Sequence, residues 1–176
     1  MRVRVEPYDP AWPVMFAAEK DRLERLLRCW LITPVEHIGS TSVPGLAAKP
    51  LIDMIAGVAD LPAAREAIGP LAGHGYVHAE HRPGALWFYR PSSGEPEGHT
   101  HHLHLTEPGS DLWRERLAFR DSLRSDPALV AKYQQLKQDL SQQFPDDGLS
   151  YSAGKREFVA MVLARSGIRL SARPAS

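Results

Sequence analysis

Hydrophobic and polar positions alternate from Arg2 to Glu6, which predicts an edge strand, and the period then changes. Asp9 and Pro10 open a helix in which Trp12, Phe16, Leu23, Leu26, Leu27 and Trp30 recur at helical spacing, giving one broad apolar face for a sheet. Two apolar strands follow, Val35 to Gly39 and Pro50 to Val58, with a polar turn between them. Asp60 to Gly73 has a capping acid, an alanine-rich body and a terminating glycine, the pattern of a helix. Beyond Gly75 the chain turns extended: Tyr76 to His78, Ala85 to Arg90 and His99 to Thr106, the last two joined by a hairpin loop, Pro91 to Gly98. Three helices are predicted last, over Ser110 to Ser125, Pro127 to Phe144 and Leu149 to Ser166. Strands first and helices last point to an α+β fold, a mixed β-sheet with packed helices and a helical carboxyl-terminal segment. Residues 1–170 read as a single domain and 171–176 as a flexible tail.

At 176 residues the chain can bury a sizeable core without disulfides. Lysine plus arginine equals aspartate plus glutamate, 21 each, so no global charge draws it to nucleic acid or a membrane, and any anion site must be local. The single cysteine, Cys29, stands in an apolar stretch and reads as a small core residue in a reducing compartment. No apolar run approaches membrane-spanning length, and the amino terminus MRVRVEPYDP lacks the apolar stretch of a signal peptide, so the expectation is a cytoplasmic protein. Trp87 and Phe88, on a hairpin read as an edge, are candidates for exposure, and the oligomeric state is open.

The segment VEHIGSTSVPGLAAKPLIDMI, Val35 to Ile55, concentrates the chemistry. A strand runs into Gly39-Ser40-Thr41-Ser42, and the next strand carries one carboxylate, Asp53. Gly39 lets backbone approach a ligand closely, and the hydroxyls and amides of Ser40, Thr41 and Ser42 can donate to phosphate oxygens; a capped helix between core strands is the structural alternative. Asp53, inside an apolar run, requires a cation or a hydrogen-bond network. His102 and His104, two apart in a strand, project from one face and could share a metal ion with Asp53, whereas His99 and His101 read as loop or surface residues. The last helices carry cations after apolar stripes: Arg120 after Trp113 and Leu117, Lys137 beside Tyr133, and Lys155 beside Tyr151. If those helices cross the glycine–serine turn, Lys49, Arg120, Lys137 and Lys155 supply the local positive field for a polyphosphate or carboxylate ligand.

YDPAWP at Tyr8 to Pro13, HIGSTSVPGLAAKPLID at His37 to Asp53, HLHL at His102 to Leu105, FRDSLR at Phe119 to Arg124 and the pairs Tyr133/Lys137 and Tyr151/Lys155 together resemble the GrpB family of bacterial proteins over Tyr8 to about Arg165. That family is placed in the nucleotidyltransferase superfamily and also occurs as a domain fused to dephospho-coenzyme A kinase. The resemblance implies a nucleotidyltransferase-like core in which the glycine–serine turn holds a nucleotide triphosphate. Two acids one residue apart on the following strand, with a third acid, then bind divalent metal. Gly39, Ser40 and Asp53 match, but Ile55 stands where the second acid belongs.

Transfer by two metals needs several anionic oxygen ligands, and one aspartate is too few. A mixed site of Asp53 as the catalytic carboxylate with His102 and His104 could hold a divalent ion, magnesium, manganese or zinc, with imidazole favouring the softer ions. Three functions follow: a module binding a nucleotide or other phosphate-bearing small molecule through Gly39, Ser40, Thr41, Ser42, Lys49, Arg120, Lys137, Tyr151 and Lys155; an active metal-dependent nucleotidyltransferase or hydrolase; or a non-catalytic structural or interaction module.

Overall fold

The structure, a computed structural model, describes residues 4–80, 83–94 and 98–168. Helix α1 (Ala11–Leu26) precedes strands β1 (Glu36–Ile38) and β2 (Ile52–Gly57); α2 (Ile68–Gly73), β3 (Val77–Ala79), β4 (Ala85–Pro91) and β5 (His99–Thr106) follow. Four helices close the chain: α3 (Asp111–Ser125), α4 (Pro127–Gln143), α5 (Gly148–Gly154) and α6 (Arg156–Arg165). The strands form one sheet in the order β1-β2-β5-β4-β3, in which β2 and β5 run parallel and the other pairs antiparallel. The α+β class and the mixed sheet are as the hydrophobic pattern predicts.

Strand alternation divides the sheet chemically. Ile52, Met54 and Ala56 of β2, Leu103 and Leu105 of β5 and Leu86 and Phe88 of β4 turn to one side, where they pack with Trp12, Leu23 and Leu27 of the α1 region and Leu71 of α2. The opposite face carries Ile55, which packs with Ile38 and with Leu112, Trp113 and Leu117 of α3. A third cluster joins Val43 and Leu46, after the turn, to Leu123, Leu129, Tyr133 and Val162 of α3, α4 and α6. The helical carboxyl-terminal segment is thus a lid on the polar side of the sheet.

Several expectations need correction. Of the strand expected over Arg2 to Glu6, only a bridge from Glu6 to Ala48 is present among the described residues. Asp60 accepts from the Ala63 amide as expected, but the helix after it is a 3-10 turn over Ala63–Ala67 and then the short α2. Cys29 is exposed. Trp87 and Phe88 lie on β4, which is flanked by β5 and β3 and is no edge; Phe88 is fully buried. The helix expected over Leu149 to Ser166 is broken at Lys155 into α5 and α6. A Cβ on Gly154 would collide with Leu140 of α4, so glycine lets α5 seat closely against α4 just before the break. Ser110 caps α3 and Asp126 caps α4 through their side-chain oxygens, which fixes both helix starts where the pattern put them. The expected tail, 171–176, lies outside the described residues.

Candidate functional site

Between the polar face of the sheet and the helical lid lies a cavity of about 630 Å³. Asp53, His102, His104 and Trp87 form its sheet side, Gly39 and Ser40 its turn side, and Glu115, Arg116, Phe119, Tyr133, Lys155 and Arg156 its helical side.

The register makes the sheet side. Asp53 stands directly opposite His102 across the parallel β2/β5 pair, so both side chains point the same way, and His102 Nδ1 lies 3.0 Å from Asp53 Oδ1. The antiparallel β1/β2 pair sets Ile38 against Asp53, which forces the next residue to turn over the carboxylate. That residue is Gly39, at φ 70 and ψ −174, a region open in practice to glycine alone. A Cβ there would stand 2.5 Å from Asp53 Oδ2. The glycine therefore serves the acid first, by letting the turn lie against it.

Burial pushes the Asp53 carboxyl up, but the hydrogen bond and charge of His102, with His104 and Arg116 nearby, outweigh it and hold the group below the usual carboxylate range. Asp53 is therefore ionised at neutral pH and accepts the Nδ1 proton of His102. In the neutral ring this leaves Nε2 as an acceptor, and His99 Nδ1 stands 2.9 Å from it. His99 is held below its ordinary pKa by burial and then by the charges of His102 and Lys49, so it is neutral and donates. Trp87 sets its edge against His102 at 5.1 Å, and Tyr89 stacks on His99 at 4.1 Å.

His99 and His101 are corrections to the loop or surface assignment. Pro91 pairs with His99 while Arg90 pairs with His101, so Thr100 is an extra residue, a β-bulge that swings His99 to the side of His102. His101 is buried at 8 % exposure on the opposite face, within the field of Arg90 and Glu19.

The cationic side is built by the lid. Lys155 stands at the α5/α6 break and projects its ammonium over the Tyr151 ring, 4.3 Å from the centroid. Burial lowers its pKa to about 8; Asp53 acts against that, and Arg116 and Lys49 add to it. Arg116, from α3, has a buried Nε with no hydrogen-bond partner among the described residues. Burial raises the Tyr133 phenol well above its ordinary value, with Ser40 acting against that.

Other predicted ligand residues hold the fold and do not line the cavity. Thr41 is buried and donates to the Leu51 carbonyl, which leaves His37 Nε2–H as the donor to Thr41 Oγ1. Burial and then the Arg124 charge lower His37 to about 4, and it stacks on Phe16. Ser42 donates to the Gly39 carbonyl at 2.6 Å. Arg120 binds Glu36, Asp121 and the His37 carbonyl, tying α3 to β1. Lys137, 2 % exposed, donates to the Ala47 carbonyl over the Tyr133 ring and clamps the turn segment to α4. Tyr151 lies under Lys155 and is 9 % exposed; the charge of Lys49 acts on Lys155.

The donor set does not fit a transfer centre with two cations. Among the described residues no three His, Cys, Asp or Glu side chains stand in metal-holding geometry. Asp53 Oδ1 and both nitrogens of His102 face one another or His99, and Ile55, in the second acid's position, is fully buried against α3.

Sequence reasoning missed Arg116. Its signal was available one position along from the stripe that led to Arg120: Leu112, Arg116, Phe119 and Leu123 share a helix face, and Leu112 and Leu123 are buried. A cation inside such a stripe must reach a polar space.

A mixed sheet with an acid under a glycine turn and a cationic helical lid defines an α+β protein with a cavity between sheet and lid. The chain belongs to the GrpB family, whose model, GrpB protein, matches residues 2–165. A UPF0157 protein of Pseudomonas aeruginosa is 38 % identical over 170 residues, covering 94 % of this chain and 68 % of that protein. A dephospho-CoA kinase of Mycolicibacterium paratuberculosis is 32 % identical over 181 residues, 87 % of this chain but only 43 % of the kinase. The crystal structure of conserved protein GrpB from Enterococcus faecalis superimposes with a TM-score of 0.84 at 32 % identity, over 93 % of this chain and 96 % of that one. Among the described residues no helix is long and apolar enough to cross a membrane.

Proposed function

We propose that this protein binds a small phosphate-bearing molecule, a nucleotide or related compound, in the cavity under the helical lid. The observation that carries the reading is Arg116, whose Nε is a buried charged donor with no acceptor among the described residues and which lines the cavity. A buried donor left unpaired costs about 1–3 kcal/mol, more when charged, so an anionic oxygen from a ligand has a place prepared. Ser40 and Lys155 flank the same space. Asp53, under the turn, suits a hydroxyl or amino group of the ligand that can donate to its free oxygen.

Binding is favoured over nucleotidyl transfer because only Asp53 supplies a carboxylate on β2, and its facing oxygen is held by His102. The binding proposed does not depend on a metal ion held by the protein. Calorimetric titration with inorganic phosphate, nucleoside triphosphates and coenzyme A precursors tests it, with product analysis of each mixture. Saturable binding abolished in Arg116→Met supports the reading. Absence of heat with every phosphate compound removes it, and release of pyrophosphate replaces it with transfer.

A further inference from the structure

A lysine enclosed in a protein is ordinarily explained by a carboxylate within ion-pair reach, or by a stem that carries the ammonium out to water. Two lysines, the buried Lys137 and the half-buried Lys155, have no such carboxylate among the described residues. Lys137 is accounted for: its ammonium donates to the Ala47 carbonyl, and it does not line the cavity under the lid. Lys155 is different. No carboxylate lies within ion-pair distance of it among the described residues; its neighbour is the face of Tyr151, and its side chain opens on the 630 Å³ cavity. Arg116 lines the same cavity, and the charges of Arg116 and Lys49 act on it. Desolvation beside other cations is the environment that turns a lysine into a nucleophile, because both penalise the ammonium and leave the neutral amine.

We propose that Lys155 is a carbonyl-reactive amine, forming an imine with a small phosphorylated aldehyde or ketone whose phosphate is held by Arg116 and Ser40. The proposal rests on the anion-binding reading of the cavity and adds a covalent step to it. The Lys155 nitrogen lone pair forms a bond to the carbonyl carbon while the carbonyl π pair moves to oxygen. Two amine protons leave with that oxygen as water, so the products are an imine and water and no oxidant or reductant takes part. Lowering of the Lys155 pKa to about 8 keeps roughly a tenth of the amine neutral at pH 7 and half at pH 8, enough for attack. Lys155 stands at the break between α5 and α6, directly after Gly154, which packs against Leu140 of α4, and it lines the cavity.

The test uses the full chain and a matched pair of probes: pyridoxal 5′-phosphate, and pyridoxine 5′-phosphate, which has an alcohol in place of the aldehyde. Pyridoxine 5′-phosphate is titrated by calorimetry. The aldehyde is incubated with the protein at pH 8, reduced with borohydride, and its lysine adducts are mapped by peptide mass spectrometry. The expected result is saturable binding of the alcohol and an adduct on Lys155 in preference to the exposed Lys132 and the buried Lys137. Lys155→Arg keeps the cation; it should lose the adduct and melt at the wild-type temperature by circular dichroism. Binding of the alcohol with labelling spread over surface lysines, or equal labelling before and after Lys155→Arg, overturns the imine and leaves anion binding intact. Failure of the alcohol and of inorganic phosphate to bind overturns both.

Discussion

Arg116→Met separates a binding residue from a structural one more sharply than any other change to this cavity. Methionine has a similar length, suits the stripe made by Leu112, Phe119 and Leu123, and presents no donor that needs a partner. Because Arg116 Nε is buried without a partner among the described residues, its removal takes away an unpaired donor worth about 1–3 kcal/mol of penalty. The ligand-free variant should thus be as stable as the wild type or more so, with a melting temperature unchanged or higher by a few degrees, at about 2–4 °C per kcal/mol for a chain of this size. Ligand affinity should move the other way. A hydrogen bond to a charged group contributes about 1.5–3 kcal/mol, so the dissociation constant for a phosphate compound should rise about 10- to 150-fold. Melting curves of the ligand-free proteins and calorimetry with phosphate ligands give the two numbers. A variant that melts several degrees lower but binds phosphate as the wild type does would show that Arg116 supports the lid, and the reasoning would fail.

Three further outcomes follow from the same geometry. Gly39→Ala should destabilise by about 1–3 kcal/mol for the backbone region and by about as much again for the approach to Asp53; urea unfolding checks this, and in an Asp53→Ala background the second part should shrink, the 3.0 Å approach to the Cβ at 53 remaining. Asp53→Ala should free His102 Nδ1 and shift the ring's tautomer, visible in nitrogen-15 NMR of the histidines; unchanged His102 nitrogen shifts would show that Asp53 does not orient the ring. Lys137 has its pKa lowered by burial from 10.5 to about 7, so between those values the unfolded chain binds the extra proton and stability should rise with pH, by up to about 1.4 kcal/mol per pH unit. Lys137→Met should flatten that rise when urea midpoints are compared from about pH 7 to pH 9.5, below the range where buried tyrosines reverse the sign; an unchanged slope would assign it to other groups.

The fold was legible because burial patterns dominate it. Strand periodicity located β5 at its true bounds, and the helical pattern located the starts of α3 and α4, which the caps Ser110 and Asp126 fix, since each feature is local to a few residues. The α5/α6 break was not legible in the same way. A glycine inside a helical pattern is ordinarily tolerated, and only its packing against Leu140, a partner on another helix, gives it meaning. Gly39, Ser40, Asp53, His102 and Lys155 were picked out from the sequence and do line one cavity, because the first four lie on strands or turns whose facing is set by period two. Arg120 and Lys137 were picked out by the same test of a cation after an apolar stripe. The test finds cations that enter the interior, and cannot tell one that meets Glu36 or the Ala47 carbonyl from one that meets a ligand.

His99 shows what alternation lacks. Counting back by twos from His101 puts His99 on the core side, away from His102, and every residue of β5 from His101 onward obeys that count. The extra residue Thr100 breaks it, and a bulge is set by the partner strand: Pro91 has no amide hydrogen to continue the ladder beyond Arg90, so the pairing slips at that junction. The consequence reaches the cavity. With a regular strand, His102 Nε2 would be open to whatever lies above it, a metal ion included; with the bulge, His99 Nδ1 meets it at 2.9 Å and the imidazole becomes the middle of a chain from Asp53 to His99. A proline on β4 thereby helps decide what chemistry an aspartate on β2 can support, and no reading confined to the glycine–serine segment could have reached it.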